Sequence, residues 1–468
     1  MSLSIAGFGV GDLQNADPTP APTNPAQFGA FHSPGSAVFA PGTTPEQMVA
    51  AYQNLLATNG IGLEHMIGGA GLELQPSNSR WNSTRGTPVD ITYSFTPDGT
   101  STSQGSSSIF ATLDAALGST TLWQQRYQQA LDAWAAVTAN TYTKDVDDGA
   151  TWNTLGGVPG VRGELRLTAG PIDGPSGVLA FNFFPNSGDM LIDSQDSGFW
   201  GNSSNGNRFL RNVVTHENGH GMGLFHECPT SNTAIMEPFI NTNFDGPQFD
   251  DILSMQYQYG DPQEPNGAIG NAASLDGLGL TSGVPLQVPL LSLHANNDFD
   301  LFAINAVAGS VLNSVIAAVD GSTYLAGAQN SNGSCQPGTS FNARQQFDLI
   351  LEVLDPTGTV IATSNATGLG GGEQLSGIAL PTTGTFFIRV RPGTTTGTTG
   401  AFHIQPYNLS VTATLTPVAG DINGDGNVNG IDLSLVLNQF GGPGSADLNN
   451  DGVVDGGDLA IVLNGWTG

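Results

Sequence analysis

The feature that most constrains this chain is the uninterrupted pattern HExxHxxGxxH, which runs from His216 to His226. On a helix, His216 and His220 lie one turn apart on the same face, with Glu217 beside them. Gly223 lets the backbone turn sharply back, because glycine adopts positive φ at little cost. That turn brings His226 round as a third imidazole. The spacing therefore predicts a helix that ends near a glycine turn and presents three histidines to one metal ion.

Three neutral imidazoles leave the fourth tetrahedral position of a zinc ion open, as in catalytic rather than structural zinc sites. Zinc in such a site lowers the pKa of its bound water to about 7 and polarises a carbonyl group. Glu217 is then the candidate general base, which takes the proton of the water and delivers it to a leaving amine. We expect one catalytic Zn²⁺, held by His216, His220 and His226, and hydrolysis of peptide bonds. The competing interpretation is an inactive relative that keeps the pattern without turnover.

Composition and charge exclude several classes of partner. The 468 residues suffice for about three domains of roughly 150 residues each, and 64 glycines and 28 prolines favour turn-rich β structure. The formal net charge of −29 would repel nucleic acid and anionic lipid surfaces, so we expect neither as a partner. No apolar run approaches the length of a membrane span. The stretch Met1 to Val10 lacks a convincing signal peptide, so the extracellular or cell-surface location that we expect requires a removed leader.

The pattern of the chain predicts a multidomain protein with a distinct N-terminal part. A helix is expected from Thr44, a plausible N-cap, to Gly60. We interpret the first segment as an extension packed on the domain after it, with a propeptide or latency segment as the alternative. The predicted segments are an extension at 1–78, a zinc peptidase domain at 79–262, a linker at 263–274, a β-rich domain at 275–416 and a calcium-binding tail at 417–468.

Residues 79–262 alternate between strand and helix patterns, which predicts an α+β domain with the motif helix beneath a mixed sheet. The apolar residues between Val89 and Phe95 alternate with polar ones, as in a half-buried strand. Residues 120–139 carry an apolar stripe at helical spacing. Further strands are expected at Gly163–Leu167, Val178–Phe184 and Met190–Ile192. The motif helix is expected at Asn207–Phe225. A short helix is expected at Phe249–Gly260, capped by Asp250 or Asp251. Several short strands separated by turn signals in 275–415 predict an all-β sandwich.

The tail contains two copies of a calcium-loop pattern. Asp, Asn and Asp at loop positions 1, 3 and 5 supply hard oxygen ligands, position 7 offers its carbonyl, and position 12 closes the shell. The predicted ligands of two Ca²⁺ ions are Asp421, Asn423, Asp425, Asn427 and Asp432 in the first copy, and Asp447, Asn449, Asp451, Val453 and Asp458 in the second. Each copy is followed by an apolar helix start, at Leu433–Leu437 and Leu459–Leu463. We therefore predict a small α domain made of two loop–helix halves.

With Met236 downstream of the third histidine, roughly residues 80–260 resemble the metzincin metallopeptidases, and most closely their matrixin-like branch. The resemblance implies a zincin fold in which Gly223 and Met236 give structural support to the zinc site. This chain departs from the pattern in three ways. Glu227 follows the third histidine where matrixins usually carry Ser, too few histidines remain for a second structural zinc, and no cysteine precedes Cys228 to form a cysteine switch.

The other two domains also resemble known modules. The tail is similar to a type I dockerin, which implies folding on Ca²⁺ and a cohesin-like partner, although Gly430-Ile431 and Gly456-Gly457 replace the common Ser-Thr pair. A purely structural calcium module is the alternative. The β-rich region resembles the bacterial pre-peptidase C-terminal domain.

The remaining cysteines and acidic residues allow smaller expectations. Two cysteines, Cys228 and Cys335, cannot make a disulfide framework, and we expect Cys228 to be a partly buried structural thiol rather than a metal ligand. Two acidic groups are candidate calcium ligands or solvated loops, namely Asp189, Asp193 and Asp196, and Asp298 with Asp300.

Together these patterns predict a secreted, zinc-dependent metalloendopeptidase that acts on protein or peptide substrates and is anchored through a calcium-binding tail. The competing class is a non-catalytic, calcium-dependent scaffold or surface-attachment protein with a degenerate peptidase domain.

Overall fold

The computed structural model describes residues 35–40, 43, 47, 79–152, 156–327, 329, 335–396, 403–424 and 427–467. Apart from Gln47, the helix expected between Thr44 and Gly60 lies outside these residues. Within the described ranges, no helix combines the length and the apolar character that crossing a bilayer requires.

The first domain is built on a mixed six-stranded sheet in the order β1-β7-β8-β6-β2-β5. Its strands are β1 (Gly35–Phe39), β2 (Asp90–Phe95), β5 (Thr141–Lys144), β6 (Leu165–Gly170), β7 (Val178–Phe183) and β8 (Met190–Asp193), and a separate hairpin is formed by β3 (Ser101–Thr102) and β4 (Gly105–Ser106). Strands β5, β2, β6 and β8 run parallel, whereas β7 is antiparallel to β8 and β1 is antiparallel to β7. The mixed sheet that the sequence predicts is thus present.

Helices cover this sheet and share its core. They are α1 (Ile109–Leu117), α2 (Thr120–Ala135), α3 (Ser197–Trp200), α4 (Arg208–Gly221) and α5 (Phe249–Tyr259). The predicted stripe on α2 is buried, and the Trp134 indole donates to the Thr215 carbonyl of α4 at 2.9 Å. Because α4 packs both on α2 and against the sheet, its residues from Asn212 to Gly221 are buried. The motif helix is therefore held on two sides.

Two expectations about this domain need correction. The boundary at residue 79 does not separate the sheet from the preceding segment, since β1 lies within 1–78 and pairs with β7. Helix α5 is capped by Gln248, while Asp251 accepts a hydrogen bond from the N–H of Gln248 in return. This reciprocal capping box, rather than an aspartate N-cap, fixes the start of the helix.

A two-sheet β-sandwich forms the middle of the chain, as predicted. Its strands are β9 (Ala273–Ser274), β10 (Leu286–Leu293), β11 (Asp300–Ala306), β12 (Ser310–Val319), β13 (Thr323–Ala326), β14 (Thr339–Asn342), β15 (Phe347–Leu354), β16 (Val360–Ser364), β17 (Glu373–Leu380), β18 (Gly384–Thr396) and β19 (Gln405–Thr414). One sheet has the order β10-β19-β12-β17 and the other β16-β15-β18-β11-β9, with β13 and β14 as a separate hairpin. The expected linker at 263–274 contributes β9, which pairs in parallel with β11, so its end belongs to the sandwich.

The sandwich is joined to the first domain by a disulfide and by apolar packing. Cys228 and Cys335 are bonded across 107 residues of sequence, which shows that the expectation of a thiol at Cys228 was wrong. Two cysteines so far apart are brought together only by the packing of the domains. An apolar cluster extends across the same junction and contains Leu253, Tyr257, Ala326, Phe341, Ala343 and Ile404.

The tail forms a small domain of two helices, α6 (Gly430–Gln439) and α7 (Gly456–Asn464), each of which begins within the last three residues of a repeat. Both helices begin three residues before the predicted apolar starts. Asn429 and Asp455 cap them, and Asp432 and Asp458 complete the two capping boxes. The two halves share one apolar core, so each half needs the other to bury its apolar side chains. This core consists of Val428, Val436, Ala446, Val454 and Val462.

Buried carboxylates also line the junction between the first domain and the sandwich. Asp261 is fully buried and accepts the N–H of Ser292 at 2.9 Å. Burial raises the pKa of Asp261 to about 8 and that of Glu264 to about 7, with nearby carboxylates adding to both shifts. Burial and the same neighbours raise the pKa of Asp300 well above its ordinary value. Folding therefore keeps protons on acids that would lose them in the unfolded chain.

We predict that the junction loses stability as pH rises from about 4 to about 8. An acid whose pKa is raised by folding stabilises the folded state fully below its unfolded pKa, and that contribution disappears as pH passes through the folded pKa. The substitution Glu264→Gln removes one titrating group, so the decline of the thermal midpoint with pH should become shallower. Thermal unfolding of both proteins across this pH range measures the two slopes, and equal slopes would contradict the prediction.

Candidate metal centre

Three histidine side chains converge at one end of α4. His216 and His220 lie on the helix, and the chain after it turns at Gly223, whose φ is +95°. The Nε2 atom of His216 lies 3.0 Å from that of His220 and 3.2 Å from that of His226. Ligands on a tetrahedral zinc ion, each about 2.0–2.1 Å from the metal, lie only slightly further apart. The structure thus brings together the three imidazoles that the sequence predicts, although the helix ends at Gly221 rather than near Phe225.

The outer nitrogen of each ring is engaged by an oxygen acceptor. The Nδ1 atoms of His216 and His220 donate to the carbonyls of Ile235 and Leu224 at 2.6 and 2.7 Å. The Nδ1 atom of His226 donates to Oε1 of Gln329 at 2.8 Å. These bonds place the proton of a neutral ring on Nδ1 and leave Nε2 as a lone-pair donor towards the centre. The arrangement fits a divalent metal with nitrogen ligands.

Burial favours the neutral form of these rings. It lowers the pKa of His226 to about 4 and lowers those of His216 and His220 well below their ordinary value, with mutual repulsion adding to the effect at the latter two. A neutral imidazole is the form that binds a metal. The centre is therefore ready to accept a cation at neutral pH without releasing ring protons.

Glu217 lies beside the histidines on the same helix and is fully buried. Its Oε1 accepts the backbone N–H of Val38 at 3.2 Å, whereas its Oε2 has no hydrogen-bond partner among the described residues. Burial raises the pKa of this carboxyl well above its ordinary value. A dication at the three imidazoles would oppose that shift by favouring the carboxylate.

Met236 lies directly beneath the motif helix, as the resemblance implies. A Cβ atom added to Gly219 would clash with the Met236 Sδ, so the glycine is required for this close approach. The N–H groups of Ile235 and Met236 both donate to the carboxylate of Asp251, at 2.7 and 3.0 Å. Asp251 thus fixes the turn that supplies both Met236 and the Ile235 carbonyl held by His216.

Gln329 is a site residue that the sequence patterns did not predict. It belongs to the sandwich and follows β13, yet its side chain reaches His226 of the first domain. On either side of it in the sequence, Gly327 forms a bridge with Cys228 and Cys335 forms a disulfide with the same residue. A lone glutamine in a loop carries no recognisable signal. The general rule that a ligating histidine has a second hydrogen-bond partner predicts only that some acceptor exists.

Glu227, which departs from the matrixin pattern, does not join the metal centre. Its backbone N–H donates to the Met236 carbonyl at 2.9 Å, and its buried side chain lies with Asp250 near Ser254. Burial and the neighbouring carboxylates raise the pKa of Glu227 well above its ordinary value. This residue therefore belongs to the packing between the turn and α5.

The two repeats of the tail form closed loops around their first and last aspartates. Asp432 and Asp458 are fully buried and accept backbone N–H groups from both ends of their own loops, at 2.7–3.3 Å. In the second loop, Asp447 accepts the N–H groups of Asp451 and Gly452. Asp425 lies outside the described residues. Backbone N–H groups bonded to these aspartates thus close the second loop and the described part of the first.

Two other acidic groups are arranged differently from expectation. Asp193 and Asp196 lie with Asp173, where burial and mutual repulsion raise the pKa of Asp173 to about 6. Asp189 acts electrostatically on Arg166, and its part in a calcium site stays a prediction. At the sandwich, the donor atoms of Asp298, Glu264 and His294 lie within 4.8 Å of one another. Asp300 accepts the Tyr407 hydroxyl instead.

A motif helix beneath a mixed sheet, three convergent imidazoles and a buried methionine turn together define a metzincin-type domain. Residues 108–260 match the family model of the matrixins, and residues 419–465 match that of the type I dockerin domain. The chain therefore carries a matrixin domain and, after the sandwich, a type I dockerin domain. The assignment of the sandwich to the pre-peptidase C-terminal type stays a prediction.

The curated relatives are matched over part of their length. Matrix metalloproteinase-18 of Xenopus laevis is 35% identical over 157 residues, covering 30% of this chain and 30% of that protein. Stromelysin-3 of Mus musculus is 33% identical over 144 residues, covering 30% of this chain and 27% of that protein. The chain thus spans less than a third of either relative. A solved periplasmic lysozyme inhibitor of g-type lysozyme from Aeromonas hydrophila matches at 17% identity, covering 29% of this chain and 88% of that chain with a TM-score of 0.17.

We predict that Gln329→Ala weakens zinc binding by about tenfold, because His226 loses the acceptor that orients its ring. Zinc affinity measured by competition with a chromophoric chelator tests this without any activity assay. The matched control is Gln374→Ala, an exposed glutamine on β17 of the same domain, which should leave the affinity unchanged. Equal affinities for the Gln329 variant and the parent chain would show that the contact does not support the metal centre.

Proposed function

We propose that this chain is a zinc-dependent metalloendopeptidase. His216, His220 and His226 hold one Zn²⁺, and Glu217 acts as the general base. The observation that carries the proposal is the convergence of three Nε2 lone pairs beside a buried carboxylate with one free oxygen among the described residues. The matrixin relatives support the same reaction class.

The chemistry divides between the metal and the chain. Zinc, when bound, activates a water molecule and polarises the carbonyl of the scissile bond. Glu217 Oε2 is placed to take a proton from that water, and the same side chain then passes the proton to the departing amide nitrogen. Ile235, Leu224 and Gln329 keep the three rings oriented throughout. No side chain is required as a nucleophile, so no acyl intermediate forms on the chain.

The groove beside the centre suits an extended peptide. Its two walls are β7 and the segment 238–240, both of which form main-chain hydrogen bonds with the strand β1 between them. A peptide that adds as a strand is recognised mainly through its backbone, so substrates of varied sequence can bind. Protein or peptide substrates are therefore the proposed class.

The tail serves, in this proposal, as a calcium-dependent attachment module. Two Ca²⁺ ions bind the loops at Asp421–Asp432 and Asp447–Asp458, and the partner is a cohesin-like domain. Exposed apolar side chains support a docking role, notably Ile431, Leu437, Phe440, Leu463 and Trp466. The disulfide supports an extracellular or cell-surface location, because such bonds persist in oxidising compartments.

The competing scaffold function has less support. In a domain that no longer catalyses a reaction, selection would not retain every ligand, every outer hydrogen bond and the base. All three ligands are buried with their outer partners in place, and Glu217 remains beside them.

We predict that Glu217→Gln lowers the rate of casein cleavage by at least about 100-fold while bound zinc stays the same, because only the proton acceptor is lost. Casein cleavage and zinc content of the full chain are measured together. The matched control Glu164→Gln changes a carboxylate just before β6 that accepts the N–H of Thr92 rather than that of Val38, and should keep the rate. Equal cleavage rates for the Glu217 variant and the parent chain would contradict the proposed mechanism.

We also predict that Ca²⁺ orders residues 419–465. Loops rich in carboxylates repel themselves without a cation, so the helices α6 and α7 lose their anchoring. Amide hydrogen exchange of the full chain, in calcium-free buffer and after Ca²⁺ addition, should show protection gained in both helices. In Asp447→Ala, protection of α7 should no longer respond to Ca²⁺, whereas Asp355→Ala, at a turn of the sandwich, should behave like the parent. Exchange that is indifferent to Ca²⁺ in the parent chain would contradict the prediction.

A further inference from the structure

The strand β1 lies in the groove beside the metal centre. It is antiparallel to β7, with Ala37 opposite Phe181 and Val38 opposite Ala180. On its other side it runs parallel to the segment 238–240, through a bridge between Phe39 and Phe239. The chain's own N-terminal segment thus occupies the place that the groove offers to an extended peptide.

Main-chain hydrogen bonds hold this segment to both walls. Phe39 donates its N–H to the Pro238 carbonyl at 3.3 Å, and its carbonyl accepts the N–H of Ile240 at 3.4 Å. Ala40 donates to the Gly177 carbonyl, just before β7, at 2.7 Å. Backbone bonding of a strand to a sheet edge is a general mode of peptide recognition. The same bonds would be available to any peptide in this position.

Two side chains anchor the strand in apolar surroundings. Val38 is fully buried and belongs to the cluster that contains Met236 and Ile240. Phe39 is also fully buried and belongs to a separate aromatic cluster that includes Trp152, Phe181 and Phe183. Adjacent residues of a strand point to opposite faces, so each of the two fills a different pocket. The segment is therefore fixed in register as well as in direction.

The alignment with Glu217 identifies one peptide bond. A general base that protonates a leaving amine must reach the amide nitrogen within about 2.6–3.2 Å. The nitrogen of Val38 lies 3.2 Å from Glu217 Oε1. That nitrogen is the leaving atom if the bond between Ala37 and Val38 is cut.

We propose that the Ala37–Val38 bond is a self-cleavage site, with β1 bound as an intramolecular substrate. This inference rests on the proposed peptidase function and names its first substrate. Water adds to the carbonyl carbon of Ala37, and Glu217 carries the proton from that water to the nitrogen of Val38. The C–N bond then breaks, which leaves a carboxylic acid on Ala37 and an amine on Val38, and at neutral pH the proton of the acid passes to the amine to give a carboxylate and an ammonium group.

Covalent attachment explains why this segment fills the groove before other peptides do. A tethered strand is present at an effective concentration in the millimolar range, which exceeds that of most free substrates. The cut should therefore be first order, with a rate constant independent of protein concentration. A small residue before the cut and a buried aliphatic residue after it would also be the preference for other substrates.

The test uses the full chain prepared without zinc and started by adding Zn²⁺. Intact-mass spectrometry should show loss of residues 1–37 and a product that begins at Val38, at a rate unchanged by dilution. In Glu217→Gln the cut should slow by at least about 100-fold. Val38→Pro removes the N–H that donates to Glu217 and should abolish this cut, while the matched Val38→Ala keeps the N–H and should still be cut at the same bond.

A further variant separates failure of this inference from failure of the peptidase function. Phe39→Asp places a charge in an aromatic cluster, which should expel β1 and open the groove to casein. If this variant cleaves casein but the parent is never cut at Ala37–Val38, the self-cleavage proposal is wrong and the peptidase function stands. A cut whose rate rises with protein concentration would also overturn the proposal. If zinc is bound and neither protein cleaves anything, the proposed function itself fails.

Discussion

The hydrogen bonds that the buried Asp251 carboxylate accepts hold the metal centre together. This one side chain binds the N–H groups of Ile235, Met236 and Gln248, and so joins the turn after the histidines to the start of α5. Burial raises the pKa of Asp251 to about 7, which the three donors oppose. Because Ile235 in turn accepts from His216, the orientation of this imidazole depends on a carboxylate that lies outside the cluster of three histidines.

The histidine cluster also depends on a contact between two domains. The sandwich supplies Gln329 to His226, and the disulfide between Cys228 and Cys335 holds the stretch that carries it. A long loop closed by a covalent bond restricts the unfolded chain and keeps the glutamine near its ligand. The sandwich is therefore more than a spacer between the matrixin domain and the dockerin domain, since it completes the hydrogen bonding of the centre. The N-terminal strand contributes from the opposite direction, through Val38 at Glu217.

Local patterns predicted the elements well because their causes are local. The stripe on α2 and the alternation in β2 follow from which faces are buried, and the tail loops follow from ligand spacing. Helix ends were less accurate, as with α4, whose last turn is decided by the fold of Gly223 and Leu224 against it. Helix α1 was not predicted, although Ile109, Leu113 and Leu117 have helical spacing.

Spacing along the chain was enough to predict that the three histidines converge and that Met236 lies beneath their helix, since a helix and a short turn place those side chains together. The role of Glu217 and the two calcium loops stay predictions. The partners that come from far along the chain depend on tertiary packing instead. Gln329 at His226, Cys335 at Cys228 and Val38 at Glu217 are separated from their partners by about a hundred residues or more. No periodic pattern in the sequence predicts such pairs, because they arise from the packing of whole domains and from the addition of a strand at a sheet edge.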